Sequence, residues 1–259
     1  MENFKSFTIQ YEPAGLIPPF SHFFVINGFN EKSYIKVELE LKYIDRERLS
    51  EEEILEEGFS LNDDFSWKGK IAADWILPVC SVLNNCNYTS ENPGEDYIYL
   101  KFDDGNKQQE GFPVNIEAVS YLIQELVQAI YETSGKESPL KLGFKNIDES
   151  EITNIDISAE FSTRTLKISR ELSGRRNLKE IINPEWEKLK PVLKAIYIPD
   201  YLEEHGSTKS PNKNGTYLNP GDGRWYKFNE GVINPGKKKN TLEWIKTSIM
   251  NLAGETQNL

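Results

Sequence analysis

The sequence predicts an α+β protein. A mainly antiparallel sheet with a packed amphipathic helix is expected over residues 1–172, followed by a helix-rich C-terminal region over 173–259 with a long polar loop at 206–223. Three observations carry that reading. Val37, Leu39, Leu41 and Tyr43 alternate with Glu38, Glu40 and Lys42, the period-two pattern of a strand with one buried and one solvated face, as in an antiparallel sheet. Ile116, Val119, Leu122, Ile123, Leu126, Val127 and Ile130 recur at helical spacing, with Asn115 as a cap and Gly135 as a stop. Beyond residue 173, Asn183-Pro184-Glu185 and Asn240 with Glu243 read as two further helix starts.

In chain order, Phe7, Ile9 and Tyr11 form a first strand, which Pro13, Gly15, Pro18 and Pro19 end. A second strand covers His22–Ile26, and Gly28 to Lys32 turns the chain into the third, which begins at Tyr34. Ser50 caps a short helix with Glu53 as its capping-box partner, and Glu51, Glu52 and Glu53 load the turn where the helix dipole favours negative charge. Only Ile54 and Leu55 are apolar in it, so it belongs on the surface. Phe65–Ile71 reads as a strand, Trp75–Leu83 as a buried helix, and Tyr97, Tyr99 and Phe102 as a strand ending in the turn pair Asp104-Gly105. After the long helix, Leu140–Phe144, Ile155–Phe161 and Thr165–Ser169 are strands, the last two a hairpin around Ser162–Arg164. The polar stretch Ser173–Arg176 marks the expected domain boundary.

In the C-terminal region Trp186, Leu189, Val192, Leu193 and Ile196 supply a helical stripe, Pro191 should kink that helix, and Pro199 ends it. The loop at 206–223 holds no core residues besides Tyr217 and Leu218, and its length of about 18 residues exceeds a usual connection. Trp225, Tyr226 and Phe228 make a short aromatic strand. Leu242, Ile245, Ile249 and Leu252 stripe the last helix.

The composition narrows the function classes. A hydrophobic fraction of 38% with 12% aromatic residues excludes a disordered chain. The net charge of −11 works against whole-surface attraction to phosphate backbones or anionic lipid. It is unevenly spread: between His205 and Met250 eight basic residues face three acids, whereas acids crowd Asp45 to Asp64. No apolar run reaches the length of a membrane span, and Cys80 and Cys86 suit free thiols in a reducing compartment, so the expected location is cytoplasmic.

Motifs for catalysis are sparse. His22 and His205 are the two histidines, without zinc-ligand spacing to the cysteines. Cys80 sits in an apolar run, leaving Cys86 as the thiol candidate, without a basic neighbour to activate it. Glu40-Leu41-Lys42 matches half of a nuclease-type Mg²⁺ site, with Glu40 for the metal and Lys42 for the attacking water, but no aspartate precedes it. Phosphate-loop and dinucleotide fingerprints are absent, and no cofactor is expected.

The distinctive constellation is C-terminal. Arg224, Trp225, Tyr226, Lys227 and Phe228 interleave cations with aromatic rings, and Lys237, Lys238 and Lys239 follow. Such a surface anchors an acidic protein partner or, alternatively, stacks single-stranded nucleic acid. The leading expectation is therefore a non-enzymatic interaction subunit or adaptor of an intracellular assembly, docking an acidic protein surface on these eight residues. The alternatives are a Mg²⁺-dependent nuclease-like or hydrolase-like enzyme and a nucleic-acid accessory protein.

Overall fold

The computed structural model describes residues 4–174, 177–234 and 240–254. Its contacts divide the chain into two units: Met1–Ser138 with Phe161–Thr163, and Pro139–Glu160 with Arg164–Leu259.

The first unit holds β1 (Ser6–Glu12), β2 (His22–Asn30), β3 (Tyr34–Tyr43), α1 (Glu51–Glu56), β4 (Phe65–Ala72), α2 (Ile76–Asn84), β5 (Tyr88–Thr89), β6 (Tyr97–Asp103), β7 (Gln108–Pro113) and α3 (Ile116–Ser134). Seven antiparallel strands form one sheet in the order β4-β3-β2-β1-β6-β7-β5. The alternation in β3 does what it predicts: Ile35, Val37, Leu39 and Leu41 are buried, and Lys36, Glu40 and Lys42 are exposed. Across the sheet Leu39, Ile26, Ile9 and Leu100 stand side by side with almost no exposure. Burying each such side chain contributes about 1.5–3 kcal/mol. Helix α3 packs on β4, where Phe65 meets Tyr131 at 5.5 Å between ring centroids, and α2 packs on α3. The Trp75 indole is fully buried and donates to the Phe161 carbonyl at 2.9 Å.

Gly28 is not the turn that the sequence suggested. It lies inside β2 opposite Phe7, whose ring occupies the space a Cβ would fill, 2.1 Å away. The glycine makes room for a core aromatic, and the turn falls at Glu31–Ser33 instead. The capping box of α1 is complete, with Ser50 and Glu53 bonding each other's backbone amides.

The second unit holds β8 (Leu140–Ile147), β9 (Glu151–Glu160), β10 (Thr165–Gly174), β11 (Leu178–Ile182), α4 (Leu189–Ile196), β12 (Asp200–Tyr201), β13 (Gly215–Asn219), β14 (Tyr226–Lys227), β15 (Val232–Ile233) and α5 (Thr241–Leu252). Six strands form an antiparallel sheet in the order β11-β10-β9-β8-β13-β14, and β12 pairs with β15. Helices α4 and α5 pack together with Leu189, Val192, Ile196, Ile245 and Ile249 fully buried.

The expectation of a helix-rich C-terminal region is overturned. Among the described residues beyond 173 there are five strands and the last residue of β10 as well as two α-helices, and the molecule is sheet-rich throughout. Two physical causes explain the difference. First, Pro191 lacks an amide hydrogen, so it fits only the opening turn of a helix. The chain accordingly makes a 3-10 turn at Trp186–Lys188 and begins α4 at Leu189, not at Pro184. Second, Tyr217 and Leu218, read as isolated apolar residues in a loop, are the inner residues of β13, which pairs with β8 along five positions. Ser173 and Gly174 end β10 within the β10–β11 hairpin.

Candidate functional site

The open face of the second sheet follows from its register. Leu142, Phe144, Ile155, Ile157, Ile168 and Leu218 take the buried face. Their neighbours in sequence therefore take the other: one row runs Lys179, Glu171, Asn154, Lys145, Tyr217, Lys227, the next Ile181, Ser169, Asp156, Gly143, Asn219, and the third Lys167, Ser158, Lys141. Five lysines thus share this face with the acids Asp156, Glu160 and Glu171, in a chain whose overall charge is −11.

A flat sheet face becomes a groove where small side chains are ringed by long ones. Here Gly143, Ser158, Ser169 and Asp156 form the floor, and Trp225, Lys141, Lys167 and Glu160 stand around it, enclosing about 520 Å³. Trp225 is placed by two mechanisms. Its backbone exchanges both hydrogen bonds with Ser207, at 2.8 and 3.0 Å. Its ring lies on Gly143, where an added Cβ would come within 2.6 Å of the indole. Next to it Tyr226 faces the core opposite Leu218, packs edge-on against Tyr201 at 5.2 Å and donates its hydroxyl to Asp222. Burial and that carboxylate push the Tyr226 phenol up to about 12, so it is neutral and structural at physiological pH. Asp222 also accepts from the Arg224 amide, which fixes the turn that delivers Trp225.

The structure therefore brings only part of the expected patch together. Trp225 lines the groove. Lys227 and Phe228 line a separate hollow of about 350 Å³ with Lys246, and Lys227 is paired with Glu230. The Arg224 guanidinium bonds the Glu203 carbonyl at 3.4 Å, and Tyr226 is buried. Lys237, Lys238 and Lys239 lie outside the described residues. Sequence reading missed Lys141, Lys167, Asp156, Ser158 and Ser169, whose individual positions carry no motif.

The catalytic candidates stand elsewhere. Glu40 and Lys42 are exposed on the open face of the first sheet, with Val25 and Ser66 as the ladder neighbours of Glu40. Among the described residues no three His, Cys, Asp or Glu side chains are placed to share a metal ion. Cys86 is buried with its thiol directed to the Asn87 carbonyl at 3.4 Å, and burial pushes that thiol up, away from the reactive thiolate. Cys80 is buried as well, and neither cysteine is bridged.

On the open face of the first sheet three lysines are paired with carboxylates. Lys101 pairs with Glu110 at 3.0 Å, and Lys36 and Lys68 both reach Glu38 at 3.2 Å. By contrast, Lys141 and Lys167 are exposed without an ion pair to a described residue. No protein-family model, curated protein or solved structure matches the chain. Among the described residues no helix is long and apolar enough to cross a membrane.

Proposed function

We propose that the protein is a non-enzymatic interaction subunit of an intracellular assembly, and that an acidic surface of its protein partner docks on the open face of the second unit around Trp225. The observation that supports this reading is the groove itself: an aromatic wall and two lysines without ion pairs, set beside two carboxylates, Asp156 and Glu160, on a small polar floor. Aromatic anchors at the centre of a docking patch supply most of the binding energy, and peripheral charge sets partner choice and approach rate. Cytoplasmic location is part of the proposal, supported by two buried, unbridged thiols.

Affinity purification from the native host tests it. The variant Lys141→Glu with Lys167→Glu should keep the wild-type melting temperature and lose the acidic proteins that the wild type retains. Recovery of the same proteins with the variant would overturn the reading, as would capture of material that nuclease removes.

A further inference from the structure

We infer that the groove takes an extended acidic peptide segment carrying an aromatic side chain, so that the partner is recognised through a short linear stretch rather than a folded surface; this rests on the function proposed above. The shape of the site is the first argument. Its floor of Gly143, Ser158 and Ser169 lies below the Trp225 ring and the two lysine stems. A broad folded surface meets the rim of such a depression, whereas an extended chain lays side chains onto its floor. At about 520 Å³ it accommodates one aromatic side chain and a few residues of backbone.

The second argument is the disposition of charge. Lys141 and Lys167 are both in register with Ser158, one strand to either side, so their backbones are about 10 Å apart. Two acids separated by one residue on an extended chain stand about 6.7 Å apart on one face. The flexible four-carbon lysine stems close that difference. Gly143, under the Trp225 ring, is two residues along β8 from Lys141. An aromatic side chain beside the acids therefore reaches the indole.

The third argument is Asp156, which sets a peptide apart from a phosphate chain. One of its carboxylate oxygens accepts the Asn154 side-chain amide at 2.9 Å. The other is available to a main-chain N–H, a donor that a peptide carries at nearly every residue. A phosphodiester backbone presents only acceptors at that place and has no N–H to donate to Asp156.

Fluorescence anisotropy with the full chain tests the inference. The probe is a fluorescein-labelled peptide, Gly-Ser-Glu-Ser-Glu-Ser-Phe-Ser-Gly, with a second peptide in which Phe is replaced by Ala. Labelled poly-L-glutamate is the third probe. The Phe peptide should bind about tenfold tighter than the Ala peptide, and Lys141→Glu with Lys167→Glu should abolish binding. Gly143→Ala, which displaces the indole without touching a charge, should weaken the Phe peptide about tenfold and leave the Ala peptide unchanged. Should Gly143→Ala fail to fold, Trp225→Leu serves the same comparison. Equal binding of the two peptides overturns the inference. If poly-L-glutamate then still binds and the double lysine variant abolishes it, the proposed function stands without the linear segment. Binding of none of the three probes overturns both.

Discussion

Gly28 and Gly143 illustrate how single residues decide this structure. Each is a glycine inside a strand whose missing side chain lets an aromatic ring lie on the backbone, Phe7 in one case and Trp225 in the other. The rings differ in role because of their surroundings: Phe7 is in the core, and Trp225 stands at a groove. Gly28→Ala should destabilise the protein by about 1–3 kcal/mol in urea unfolding, because its Cβ overlaps the buried Phe7 ring, which must shift. A change near zero would mean that Phe7 relocates without cost. Asp63 supplies a pH-dependent contact of a different kind. Its partial burial alone would raise its pKa, but hydrogen bonds from Ser60 and from Arg46, the latter at 2.7 Å, outweigh that and hold it below the usual carboxylate value. The Arg46 guanidinium is in turn stacked over Tyr43 at 3.9 Å. A carboxyl with a lowered folded pKa contributes stability above its unfolded value, and loses it as pH falls through the folded one. Asp63→Asn should therefore melt lower than wild type at neutral pH, with the two melting temperatures converging below about pH 4. Parallel pH profiles would show that the pair contributes nothing. At Glu40, exposed on a solvated strand face, Glu40→Gln should shift stability by no more than about 0.5 kcal/mol. A Mg²⁺-dependent rise in melting temperature abolished by that substitution would restore the enzyme alternative.

Elements with strong local signals were legible in the sequence, and those that depend on distant partners were not. The alternation of β3, the capping box of α1 and the stripe of α3 each lie within a few consecutive turns or residues, so local pattern suffices. Strands β5, β12 and β15 are two residues long and exist because a neighbour supplies the ladder. Strand β13 is the instructive case: Tyr217 and Leu218 were visible as apolar residues, but their partner β8 lies some 70 residues earlier. The connection leading into β13 is held by Lys145, whose ammonium group bonds the Ser210 hydroxyl at 3.1 Å and the Pro211 carbonyl at 2.9 Å. Lys145→Ala should release that connection, and limited trypsin digestion should then cut faster at Lys209 and Lys213. An unchanged rate would mean that the backbone there is held by other contacts.

At the scale of the whole molecule, the uneven charge was legible and the groove beside Trp225 was not. Counting residues exposes the basic excess near the C-terminus. It does not reveal that Lys141 and Lys167, 26 positions apart, flank Ser158 on adjacent strands, since only the pairing of β8, β9 and β10 creates that neighbourhood. Trp225 was singled out from its aromatic company, but its separation from Tyr226 and Phe228 onto a different surface follows from strand alternation and from Gly143. In the proposed complex an acidic partner covers the open face of the second sheet and leaves that of the first exposed. Lysine acetylation footprinting of the complex recovered from the native host, read by mass spectrometry against the free protein, tests it most directly. Lys141 and Lys167 should be protected in the complex while Lys36, Lys42 and Lys68 keep their reactivity; protection of the latter three with Lys141 and Lys167 still reactive would contradict the account.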